Sequence, residues 1–129
     1  MRDGLTAGQT ASMDVIVTSD MFARFEGKLI HPVYSTVSMV YHMEWVSRQI
    51  LLPYLEENEE GMGGGVTVKH VAPCHEGAKL KVIATLTDLH SNIVITNVKA
   101  ESSGRLIGVG EVKQVILPKK KISEILTGN

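Results

Sequence analysis

The stretch Thr36-Val37-Ser38-Met39-Val40-Tyr41-His42-Met43-Glu44-Trp45-Val46-Ser47-Arg48-Gln49-Ile50-Leu51-Leu52, closed by Pro53, decides how this chain folds. Met39, Met43, Val46 and Ile50 recur at spacings of four, three and four, which puts them on one face of an α-helix. Thr36 suits the N-cap, because its hydroxyl can accept from a free backbone N–H of the first turn. Pro53 marks the approximate end. Val37, Val40, Tyr41, Trp45, Leu51 and Leu52 make the helix apolar almost all round. Such a helix is buried on several sides or covered by a partner subunit.

Upstream, residues 1–12 read as a lead-in and Met13 to Thr18 as a short β-branched strand. Ser19 to Ser35 shows no clean period. It reads as an irregular loop with one helical turn, of the length that often serves as a lid. Downstream, Glu56 to Glu60 reads as a solvated acidic run, and within the glycine-rich Gly61 to Gly65 the residues Gly63 to Gly65 read either as the turn out of the helix or as a backbone that a ligand can approach closely. Four strand-like segments follow: Val66 to Val71, Leu80 to Thr87, Ile93 to Ala100 and Leu106 to Leu117. The turns between them are too short for crossover helices and suit an antiparallel meander. Gly108 and Gly110 allow a bulge or a close approach. Lys119-Lys120-Lys121 begins a frayed end or a short terminal helix. One helix on one face of about five antiparallel strands is an α+β architecture, the pattern of the hot dog fold, in which the sheet wraps the helix.

The chain has 129 residues, enough for one domain spanning 1–129, and 43% of them are hydrophobic. With 13 basic and 14 acidic residues it lacks the charge of a non-specific nucleic-acid binder. Its single cysteine, Cys74, excludes an intramolecular disulfide and fits a reducing compartment. No signal-like or membrane-spanning run is visible, so a soluble, cytoplasmic protein is expected, with no nucleic-acid or membrane partner.

No phosphate loop, paired CxxC, GxSxG elbow or HExxH motif is present. His70, Cys74 and His75 are close in sequence but offer no fourth ligand, so no metal is expected. His70 shares a strand face with Val66 and Val68 and points inward, either as a core histidine bonded to backbone or as a site residue. Glu44 is either half of an i, i+4 pair with Arg48 or a carboxylate set into an apolar helix. Thr36 is either a plain cap or a working hydroxyl.

Taken together these features resemble the hot dog thioesterases related to fluoroacetyl-CoA thioesterase, from about Tyr34 to Val115. Met43-Glu44-Trp45 matches the family's helix motif. Thr36 stands eight residues before Glu44, and His70 stands 26 residues after it, as in the family. Gly63 matches a family glycine seven residues before the histidine. The resemblance implies an acyl-CoA thioesterase without metal or redox cofactor, with CoA entering only as part of a short or medium acyl-CoA substrate. It implies Thr36, Glu44 and His70 as the catalytic residues and Tyr34, Gly63 and Gly64 as substrate-binding ones. Glu44 would act as nucleophile or base, and the oxyanion would be held by N–H groups near Val37 to Met39 or by the glycine backbone.

Eight helical residues rise about 12 Å, so Thr36 and Glu44 cannot meet within one straight helix. Either the helix starts later than Thr36 or the site is assembled with a second subunit; the resemblance implies the latter, a site at a homodimer interface. The chain also departs from the fluoroacetyl enzyme. Gly27 and Ile30 stand where that enzyme has two lid phenylalanines, although Phe22 and Phe25 lie nearby. Glu111 to Gln114 lacks the His and Arg of its last strand. The acyl group thus stays open. The alternatives are a non-catalytic hot dog protein binding CoA esters or another small ligand, and a hydratase. The latter needs an Asp/His pair that Asp88, in a turn, does not supply.

Overall fold

The computed structural model describes residues 1–128; Asn129, the last residue of the expected domain, lies outside them. The strands and helices follow in the order β1 (Thr10–Ile16), β2 (Phe22–Phe25), β3 (Lys28–Tyr34), α1 (Thr36–Leu51), β4 (Glu59–His70), β5 (Lys79–His90), β6 (Ile93–Ser102), β7 (Arg105–Pro118) and α2 (Lys119–Leu126). Five strands form one antiparallel sheet in the order β1-β5-β6-β7-β4, and α1 touches all five. The α+β class and the central helix wrapped by a five-stranded sheet are as expected.

Several details differ from the sequence reading. The first strand begins at Thr10 rather than Met13. The segment Ser19 to Ser35 is not an irregular loop but a short 3-10 turn and the β2–β3 hairpin. Its two-residue turn has φ of 51° at Glu26 and 76° at Gly27, as a type I′ turn requires. Glu-Gly is an uncommon way to write that turn, and the hairpin's sparse alternation hides it further. Gly61 to Gly65 is not a turn but lies inside β4. The four later strands are not a simple meander, because β4 pairs with β7 at the far edge instead of with β5. Residues 71–78 make this crossing along one end of the sheet. Val71 and Ala72 donate their N–H groups to Ile107, Gly77 donates to Val17, and Val17 donates to Ala78.

The core is the contact between α1 and the sheet. Met39, Met43, Val46, Ile50 and Leu51 are buried on the helix, facing Leu80, Val82, Ala84 and Leu86 of β5, Val94 and Val98 of β6 and Val112 and Ile116 of β7. Each such side chain contributes roughly 1.5–3 kcal/mol on leaving water. Opposite α1, β7 carries Gly108 and Gly110. A methyl group at Gly108 would run into the thioether of Met39. At Gly110 it would run into the backbone carbonyl of Thr67 and come within 3.1 Å of the Met43 sulfur. The close approach that these glycines allow is realised.

The two obstacles differ in kind. The Met39 thioether is the end of a flexible side chain, whereas the Thr67 carbonyl belongs to the β4–β7 ladder. Gly110→Ala is therefore expected to cost about 3 kcal/mol and Gly108→Ala about 1 kcal/mol, within the range for overpacked cores. Urea unfolding of both variants checks the order, and a Gly108→Ala loss equal to or larger than that of Gly110→Ala would contradict it.

Candidate active site

Ser35, not Thr36, is the N-cap of α1: its side chain accepts from the Ser38 N–H at 3.0 Å. The expected cap is displaced by one residue because Ser35 has the extended backbone a cap needs, while Thr36 is the first helical residue. The chain is held here by two backbone bonds, Tyr34 N–H to Cys74 and Ser35 N–H to Met21. Freed from capping, the Thr36 hydroxyl lies 2.9 Å from Nδ1 of His70, at the end of β4. His70 is thus bonded to a side chain rather than to backbone. Its other nitrogen, Nε2, is buried and has no hydrogen-bond partner. Such an imidazole can work in either direction. With the proton on Nδ1 it donates to Thr36 and leaves Nε2 as a base. With Nδ1 bare, the hydroxyl donates to it and Nε2–H can donate elsewhere.

Tyr34 is 1% exposed and sits behind this pair. Its ring meets His70 edge-on at 6.3 Å and stacks on His42 at 5.8 Å. Burial, with a smaller contribution from Cys74, pushes the Tyr34 phenol far up, and burial lowers His42. The phenol therefore keeps its proton and donates a hydrogen bond to Nδ1 of a neutral His42 across 2.6 Å. Tyr34, expected as a substrate-binding residue, is buried in the single chain with its ring against the imidazole. The β2–β3 hairpin lies beside Thr36, and Phe22, Arg24 and Phe25 share a cavity of about 310 Å³ with it.

Glu44 stands elsewhere on α1, exposed, with its carboxylate over β4. A methyl group at Gly63 would lie 3.1 Å from Oε1 of Glu44. The glycines mark a bulge. Gly63 pairs with Gln114 and Gly65 with Lys113, so Gly64 is the extra residue between them. The acidic run is only partly a solvated one. Glu59 binds the N-terminal ammonium at 2.8 Å, and Glu60 accepts from Arg48 at 2.9 Å with both oxygens and from the Gly61 N–H at 2.9 Å. The bonds from Arg48 hold the Glu60 carboxyl below the usual range. Because Arg48 turns to Glu60, the expected Glu44–Arg48 pair is not made. Glu44 has no salt bridge among the described residues.

The structure thus assembles two groups, Thr36 with His70, and Glu44 with Gly63, while Gly64 faces Val115 and Lys113. Within one chain it does not join them. Cys74 is a buried thiol that packs in the core, while His75 points to solvent. Among the described residues no three His, Cys, Asp or Glu side chains gather as a metal site would need. A larger groove of about 500 Å³ lies on the sheet face away from α1 and holds none of these residues.

Sequence reasoning missed two neighbours of the site. His42 was hidden by its place among apolar helix residues. Gln114 lines a cavity of about 310 Å³ with Glu44, Trp45, Gly61 and Gly63. A signal for it was present, since Val112, Gln114 and Ile116 share one face of β7 and only the middle one is polar.

Among the described residues no helix is long and apolar enough to cross a membrane. The model of the family "FlK: Fluoroacetyl-CoA-specific thioesterase" matches residues 17–120. A Thermus thermophilus protein of the thioesterase superfamily is 41% identical, with a TM-score of 0.93 over 97% of this chain and 93% of its own. The fluoroacetyl-CoA thioesterase FlK superposes with a TM-score of 0.89 at 24% identity, over 98% of this chain and 99% of its own. A hot-dog-like protein from Thermanaerovibrio acidaminovorans gives 0.86 at 19% identity, over 93% and 89%. The curated proteins give no match. The chain therefore belongs to the fluoroacetyl-CoA-specific thioesterase family, has the hot dog fold and is a thioester hydrolase.

Proposed function

We propose that this protein hydrolyses a short or medium acyl-CoA thioester to the free acid and CoA, at a site shared between two subunits of a homodimer. One observation carries the reading. The protomer presents its carboxylate and its hydroxyl–imidazole pair as two half-sites, eight residues or about 12 Å apart along α1. A two-fold axis crossing α1 midway between them would bring Glu44 to the partner subunit's Thr36 and His70, and the reverse, so that both sites are completed by one symmetric contact.

The surface supports this pairing. Val37, Tyr41 and Trp45 are exposed on α1, forming the apolar face that Glu44 interrupts. Beside it runs β4, twelve residues long and at the edge of the sheet, where a row of backbone groups is open to a second strand. A variant of the related FlK enzyme has been solved with acetyl-CoA bound, and another with fluoroacetate and CoA, which supports a CoA ester as the substrate here.

In this reading Glu44 either attacks the thioester carbonyl or removes a proton from the attacking water. Either route puts negative charge on the carbonyl oxygen, and the bulged backbone at Gly63 and Gly64 or the first turn of α1 offers N–H donors for it. The C–S bond then breaks, and His70 donates a proton to the departing thiolate; on the nucleophilic route water then cleaves the Glu44–acyl anhydride, and on either route a proton released from the water restores His70. Thr36 fixes the imidazole for that step, and Tyr34 backs it. The overall change adds one water to the thioester and needs no redox or metal cofactor. The same reading places the protein in the cytoplasm, with a small-molecule substrate and no nucleic-acid or membrane partner.

Free-thiol release from a panel of acyl-CoA esters tests the activity. Glu44→Ala is expected to lower kcat/KM by a factor of roughly 10³ or more while the protein stays folded, as for loss of a nucleophile or base. A folded wild-type protein that binds the esters but hydrolyses none would leave a binding protein instead. The shared site has its own test. Glu44→Ala and His70→Ala, each inactive alone, are expected to recover activity when unfolded and refolded together. Random pairing makes half of the dimers mixed, each with one intact site, so about a quarter of the wild-type rate should return. A mixture as inactive as its parts would place the whole site within one chain.

A further inference from the structure

The buried polar groups under α1 divide into two kinds. Ser47 and Thr96 are both fully buried and satisfy each other: the Thr96 hydroxyl donates to Ser47 Oγ at 2.7 Å. Gln114 is the exception. It is 6% exposed, and its amide nitrogen is closed to water and makes no hydrogen bond. A buried donor left without a partner destabilises the fold, and native interiors hold few of them. An apolar residue would fit the alternation of Val112 and Ile116 better.

The position of this amide indicates its use. Gln114 pairs across the ladder with Gly63, whose own neighbour on the helix side is the Glu44 carboxylate. A methyl group added at Gly61, two residues along β4, would lie 3.6 Å from the Gln114 amide oxygen. Two glycines thus clear the floor of the cavity between the amide and the carboxylate. An acyl chain whose carbonyl carbon stands at Glu44 would lay its next carbons over that floor.

We infer that Gln114 is a specificity-determining residue, whose amide takes a hydroxyl or oxo group carried by the acyl chain one or two carbons from the thioester. The inference rests on the thioesterase reading above and narrows its substrate to short hydroxyacyl or oxoacyl thioesters. A plain alkyl chain leaves the amide unpaired in a site from which water is excluded, so it is discriminated against. A hydroxyl suits the amide best, because it can meet either the N–H or the oxygen. Sites built to bond a substrate hydroxyl reject analogues lacking it far more strongly than apolar pockets reject an added one.

The test compares matched esters of CoA: propionyl with 2-hydroxypropionyl, and butyryl with 3-hydroxybutyryl and 3-oxobutyryl. The wild-type protein is expected to favour the oxygenated member of at least one set by roughly tenfold or more in kcat/KM. In the near-isosteric Gln114→Met the ratio should collapse towards one. Because the variant removes an unsatisfied donor, its Tm should equal or exceed that of the wild type. A wild-type protein with no such preference, hydrolysing the plain esters as well, overturns the inference and leaves the thioesterase reading intact. A Gln114→Met variant that keeps the preference also overturns it. So does one whose Tm falls by more than about 4 °C, which would make the amide structural. No turnover of any ester overturns both readings together.

Discussion

The fold depends on how closely α1 can lie against β7. Gly108 and Gly110 remove side chains where Met39 and Met43 come down, so the helix sinks onto the sheet and touches every strand. That approach sets the height of everything carried on α1. It brings the Glu44 carboxylate down to the backbone of Gly63, and it sets Thr36 within hydrogen-bond reach of a histidine on β4. A helix held further out by a methyl group would stretch the Thr36–His70 hydrogen bond and lift Glu44 away from Gly63. Core packing and site geometry are here the same constraint.

A second dependence is smaller and lies at the start of the helix. Two adjacent hydroxyl residues, Ser35 and Thr36, divide two tasks. Ser35 accepts from the Ser38 N–H and ends the orphan state of that donor. Thr36 is then free to bind His70. If Thr36 capped the helix, its hydroxyl would be committed to the backbone and the imidazole would lose its anchor. The backbone bonds from Tyr34 to Cys74 and from Ser35 to Met21 hold this division in place, since they fix where the extended chain becomes helical.

Much of this was legible in the sequence, and the limits have physical causes. The buried face of α1 and the approximate extents of β5 to β7 follow from periodicity, while Thr36, Glu44 and His70 stand out as site residues only through the family resemblance. The β2–β3 hairpin was not legible, because Glu26-Gly27 is a weak turn signal between strands with little alternation. The glycines of β4 read as a turn because glycine is usually found there. Only the pairing with β7 shows that they remove side chains beneath a carboxylate. The destination of β4 was hidden for the same reason: short loops suggest neighbours, but residues 71–78 run past β7 before the chain turns back. Partner choice in ion pairs was not legible either. Arg48 at i+4 from Glu44 is well placed on a helix, yet Glu60 offers it both carboxylate oxygens.

The departures from ordinary folding rules are not scattered. A glycine-rich strand interior, a bulge, an exposed apolar helix face carrying a carboxylate, and a buried amide without a partner all fall around one cavity. Each weakens an isolated protomer. Glycines cost backbone entropy, the bulge interrupts the ladder, the apolar face meets water, and the Gln114 amide nitrogen has lost its hydration without gaining a partner. Sequences tend to break local rules where function requires it. A second subunit covering α1 and β4 would answer the exposed face and the open edge. It would not answer Gln114, which lines the cavity yet is buried. A narrow chain entering between Glu44 and the glycines, with a polar atom to bring to the amide, would answer it.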